Sequence, residues 1–154
     1  MRKLIVLMAL FAALAGMLLL TQEPGAERLE ILDGVEITGG DGCAFIRIGF
    51  NIPVRYVKHF PYDSGEDLRI QLEPISISPG ERPSLFNREY LRPPPDDPSG
   101  LSEVLYEGGI EGGPFLSLFF RNPVRFKVEQ GEDYRSLLVT VYGTDAKGPC
   151  QGAH

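Results

Sequence analysis

The residues with chemistry to offer are mostly cations on strand-like stretches. Arg47, Arg55, Arg69, Arg125 and Lys127 each stand between two apolar neighbours, and Arg121 follows Phe119-Phe120. Tyr56 adjoins Arg55, and Lys58 lies two residues beyond it. A guanidinium matches a carboxylate through two parallel hydrogen bonds. Aromatic rings stack on the apolar faces of sugars, and Tyr56, Phe60, Tyr62, Tyr134 and Tyr142 could supply such rings. These groups bind; they do not break bonds. The same cations also fit a solvated sheet face, paired with acidic neighbours across strands. Arg55 and Arg125 fit two roles equally: ligand capture, or a guanidinium tying down a bulge at the preceding proline.

Groups suited to covalent chemistry are scarce. His59 lies in a loop, His59-Phe-Pro-Tyr62, without a Ser/His/Asp partner in the sequence, and His154 is the last residue. Gly-Glu-Asp occurs at 65–67 and again at 131–133. Two adjacent acids fall far short of a calcium ligand set, so they read as the start of hairpin turns. Gly39–Gly42 and Gly108–Gly113 lack the strand-glycine-helix setting of a phosphate loop. The reading is therefore a non-enzyme with no catalytic residue, no metal and no cofactor.

Composition sets what must position these side chains. The chain has 154 residues, net charge −6, 43% hydrophobic and 23% charged residues. That allows one packed domain. An acidic balance argues against nucleic acid, which needs a basic footprint. Eighteen glycines and thirteen prolines favour many short strands and turns over long helices.

Residues 1–26 form a unit of their own. Arg2-Lys3 precedes an uncharged apolar run over 4–20. This is a secretory signal peptide or an N-terminal membrane anchor, expected as a helix, and it places the rest of the chain outside the cytoplasm. Without residues 1–26 the chain has 13 Lys+Arg against 20 Asp+Glu. In an oxidising compartment, Cys43 and Cys150 are expected to form a disulfide that ties the tail, 146–154, to an early strand.

The exported part repeats itself. At an offset of 70 residues, Phe45, Phe50, Pro53, Val54 and Arg55 fall on Phe115, Phe120, Pro123, Val124 and Arg125. Leu68-Arg-Ile-Gln-Leu72 falls on Leu137-Leu-Val-Thr-Val141 after a one-residue shift. Both copies alternate with period two, the mark of a strand with one buried face. Ile46, Ile48 and Phe50, like Leu116, Leu118 and Phe120, share one such face. Pro53 and Pro123 should break the ladder, because proline lacks the amide it needs. Each copy offers about four strands that cannot stand alone. Two copies can bury their apolar faces against one another. The predicted fold is all-β, a two-sheet sandwich of about eight short strands within 27–145. Its halves span 29–77 and 101–142, joined by a Pro-rich connector, 78–100. Seven of the thirteen prolines lie between 73 and 100, and Ser84–Leu91 could make one turn of helix.

Two blocks of the form strand, x-x-Pro-Val-Arg-Tyr/Phe, turn, Leu-x-Ile-x-Leu, behind an export signal, resemble the AMIN domain. That domain is the N-terminal module of periplasmic N-acetylmuramoyl-L-alanine amidases and of type IV pilus secretins. The resemblance covers residues 29–142. It implies a sandwich of two related sheets and a non-catalytic module that binds peptidoglycan or localises to the cell wall. The alternative is a periplasmic interaction module for a secretin, divisome or repeat-protein partner, with residues 4–20 as a possible inner-membrane tether. Arg47, Arg55, Tyr56, Arg69, Arg121, Arg125 and Lys127 are the candidate ligand-binding residues. The chain stops at His154 without the enzymatic or secretin domain that usually follows, and 88–94 departs from the pattern.

Overall fold

A computed structural model describes residues 29–40 and 42–142. The expected signal or anchor helix, 1–26, and the tail with Cys150 lie outside the described residues. The chain forms an open antiparallel sheet of eight strands: β1 (Leu32–Gly40), β2 (Cys43–Phe50), β3 (Val54–Phe60), β4 (Ser64–Pro74), β5 (Arg88–Leu91), β6 (Leu101–Glu107), β7 (Phe115–Gln130) and β8 (Ser136–Tyr142). The order is β1-β2-β8-β7-β4-β3, with β6 joined to β7 and β5 to β6. The sheet branches at β7. Residues 115–119 of β7 lie between β4 and β6, whereas 125–130 pair with β8.

The alternation seen in the sequence sorts the side chains. Ile46, Ile48, Leu68, Ile70, Leu116, Leu118, Leu137 and Val139 are buried in one cluster, while Arg47, Arg69, Arg125 and Lys127 point the other way. Tyr106 completes the core. Its ring is fully buried, its hydroxyl donates to the Leu85 carbonyl at 3.0 Å, and burial raises its pKa.

Strand pairing repeats at the offset of the sequence repeat. Ile46 pairs with Val139 as Leu116 pairs with Ile70. Arg55 pairs with Glu73 as Arg125 pairs with Tyr142. The first strand of each copy carries the same irregularity: the β1 register shifts between Leu32 and Gly34, and the β6 register between Leu101 and Glu103. Just beyond, the Asn51 amide donates to Ile31 O at 2.9 Å and the Arg121 amide to Gly100 O at 2.8 Å.

The ladder breaks at Pro123 as expected: residues 121–123 carry no ladder partner, although β7 runs on through them. Three expectations are corrected. His59 lies on strand β3 and not in a loop. Arg88–Leu91 is strand β5, and the only helical turn among the described residues is a 3-10 turn at Arg82–Phe86. Glu66-Asp67 lies inside β4 and does not start a turn. β1 runs on through Thr38 and Gly39 to Gly40. The connector packs tightly: a Cβ at Gly108 would lie 1.6 Å from the Leu85 carbonyl oxygen, so only glycine fits.

Two side chains close the gaps between strands. Gln130 on β7 reaches β3, accepting from the Tyr56 amide at 2.7 Å and donating to Val54 O at 3.3 Å. The Glu89 carboxylate on β5 accepts from the Ile31 and Leu32 amides at 2.8–2.9 Å, and from Asn87. Each stands in for a rung of the ladder and satisfies backbone amides that burial would otherwise orphan.

Candidate functional site

The candidate cations fall on two groups of strands. Register rows place Arg47, Lys127 and Arg125 on the face of β1, β2, β8 and the second part of β7. One row reads Glu36, Arg47, Leu138, Glu129, and the next reads Thr38, Phe45, Thr140, Lys127. Arg55 and Arg69 lie on the face of β3, β4, the first part of β7, β6 and β5. There one row reads Phe60, Arg69, Ser117, Leu105, Tyr90. Arg121 sits at the unpaired step of β7 and belongs to neither face.

Every one of these cations has a local partner. Arg47 reaches Asp133 at 3.4 Å and Glu36 at 3.9 Å. Arg55 pairs with Glu73 at 2.8 Å. The Arg69 guanidinium lies 4.2 Å from the centroid of Phe115, and that of Arg125 lies 5.6 Å from the centroid of Tyr142. Arg121 lies 3.5 Å from the buried carboxylate of Asp97. The hydrogen bond from Lys127 to Glu129, 2.8 Å, raises the lysine pKa. Arg55 and Arg125 therefore act across strands, each on the residue opposite it. Of the two roles open in the sequence, the contacts support a structural one, and its target is the neighbouring strand, not the proline.

Tyr56 belongs to an aromatic group around His59. Its hydroxyl lies 2.7 Å from His59 Nδ1, and His59 Nε2 lies 2.8 Å from the Tyr62 carbonyl oxygen. A carbonyl only accepts, so Nε2 carries a proton, and in neutral His59 the Tyr56 hydroxyl donates to Nδ1. Burial raises the Tyr56 pKa, and the nearby Tyr62 adds to it. The His59 ring stacks on Tyr62 and meets Phe126 edge-on. Among the described residues neither ring nitrogen contacts a carboxylate or a serine, so they form no triad with His59.

Among the described residues, the rings at the β3–β4 tip are the most open large apolar groups: Phe60 is 78% and Tyr62 86% exposed. Phe60 stands directly opposite Arg69 and two residues from Lys58 on the same face, and Tyr90, half exposed, ends the row. The sequence marked Phe60 and Tyr62. It did not mark Tyr90, which sits in the Pro-rich connector; the alternation of Arg88-Glu-Tyr-Leu91 was the available signal.

The second Gly-Glu-Asp does hold a turn. Asp133 Oδ1 accepts from the Arg135 amide and the Ser136 hydroxyl, each at 2.9 Å. These bonds, the backbone one foremost, lower its pKa. Among the described residues no group of His, Cys, Asp and Glu could hold a metal ion. Cys43 opens β2 and is not a free thiol; Cys150, its expected partner, lies outside the described residues. No family model, curated protein or solved structure matches the chain.

Proposed function

We propose that this chain is a non-catalytic cell-envelope module of the AMIN type, a β-sandwich of two related halves that binds peptidoglycan in the periplasm. The recurrence of pairing, bulge and turn bonds at an offset of 69 or 70 residues supports the duplicated sandwich. In that reading the chain passes from one sheet to the other at each Pro-Val-Arg segment. Residues 4–20 export the module and could tether it to the inner membrane.

The observation that carries the ligand reading is the pair of open rings, Phe60 and Tyr62, beside Lys58 and Arg69. Rings stack on sugars, and cations meet the carboxylates of stem peptides. Retention of the full chain on purified sacculi is the test. We expect retention at about 150 mM salt, where exposed ion pairs are already screened. Phe60→Ala with Tyr62→Ala should abolish it without unfolding the protein. Wild-type protein that stays in the supernatant would overturn the reading.

A further inference from the structure

Among the described residues, three strands have a single strand partner: β1, β3 and β5. An unpaired edge invites another strand unless something blocks it. On β3, the Val54 amide donates to Tyr134 O and the Tyr56 amide is taken by Gln130. β5 is four residues long and runs into Pro93-Pro-Pro95. β1 is nine residues long and contains neither lysine nor proline. Only its start is covered, where Glu89 holds the Ile31 and Leu32 amides. Among the described residues, no strand pairs with the outer side of 34–40.

Both faces of β1 are unfinished at that edge. On the inner face, Val35 and Ile37 pack on the core yet remain only half-buried. On the outer face, a depression of about 320 Å³ opens beside the strand. Glu36 and Thr38 form its near wall, Phe45, Arg47 and Leu138 its floor, and Glu129 its far wall. Beside the strand, the carboxylates Glu36, Glu129 and Asp133 pair with two cations, Arg47 and Lys127, and the third cation of the face, Arg125, lies farther off over Tyr142. Exposed Glu30 and Asp33 extend the negative charge along the chain at the head of β1.

We propose that β1 is a docking edge for an extended basic peptide, which adds a strand beside residues 34–40. Backbone hydrogen bonds supply affinity, and side-chain alternation supplies specificity. Apolar residues of the peptide cover Val35 and Ile37. Lysine or arginine on its other face meets Glu36 and reaches over the depression. A second copy pairing β1 with β1 would bring like charges together, so the occupant is a basic partner and not this chain.

The test uses the full chain and an eight-residue synthetic peptide alternating lysine with valine, followed by fluorescence polarisation. Its controls are the same peptide with glutamate for lysine, and the lysine peptide N-methylated at alternate residues. We expect binding of the lysine peptide alone, with slowed hydrogen exchange in β1. Glu36→Lys, at a side chain 74% exposed, should weaken it on the order of tenfold and admit the glutamate peptide. Equal binding of the N-methylated peptide would overturn strand addition. So would protection outside β1, no binding, or a dimer formed through β1 without peptide.

Discussion

Arg55 and Arg125 hold the same place in the two copies and meet the residue opposite through different physics. Arg55 forms an ion pair with Glu73, and Arg125 lies over the ring of Tyr142. The turns that follow differ more. In the first copy, His59-Phe60-Pro61-Tyr62 pushes two rings into solvent. In the second, Glu129-Gln130-Gly131-Glu132 turns a carboxamide inward to bridge β3. Backbone pairing and core are thus common to both copies, and what faces solvent at the turns is not. A repeated cation is a poor guide to a ligand site here; the place where the copies diverge is a better one.

The core gives the largest test of this comparison. Ile48 and Leu118 occupy equivalent buried positions. Each truncated to alanine should cost about 2–5 kcal/mol in urea unfolding, in a single transition. Two transitions would mean that the copies unfold separately. The bridging side chains come next. Glu89→Gln replaces one acceptor of the Ile31 and Leu32 amides by a donor, and Gln130→Ala strands the Tyr56 amide. Each should cost about 1–3 kcal/mol.

The arginines should matter less. Arg55→Ala and Arg125→Ala should each cost under about 1 kcal/mol. Their salt response separates them: raising ionic strength should weaken the Arg55 contribution first. The smallest effect concerns pH. The pKa of Asp133 is lowered in the fold, so its stabilisation is present above the unfolded value of about 4 and is lost as pH falls through the folded value. Asp133→Asn should flatten the acid side of the stability curve, measured by thermal unfolding. An unchanged curve would remove this turn from the account.

The strands of both copies were legible because each buries one face, and period two survives in Ile46-Arg-Ile48 and Leu116-Ser-Leu118. Pro53 and Pro123 read alike in sequence, but only the first lies in a gap between two strands. β7 continues because its 121–123 step needs no ladder amide. β5 was hidden, since four residues amid prolines carry little periodicity. The roles of Glu89 and Gln130 were out of reach: their partners lie 58 and 74 residues away, and no local pattern announces them. For the candidate site, sequence named the right cations but not their partners, because cross-strand neighbours are set by register.

The strand order has one more consequence. β2 lies against β8, and β4 against β7, so each copy is stitched into the other. Neither could be excised intact. A protease that nicked the chain between β5 and β6 would sever the polypeptide yet leave two interlocked fragments moving as one particle. They would come apart only in denaturant, and on its removal would have to find each other again before either regained its shape.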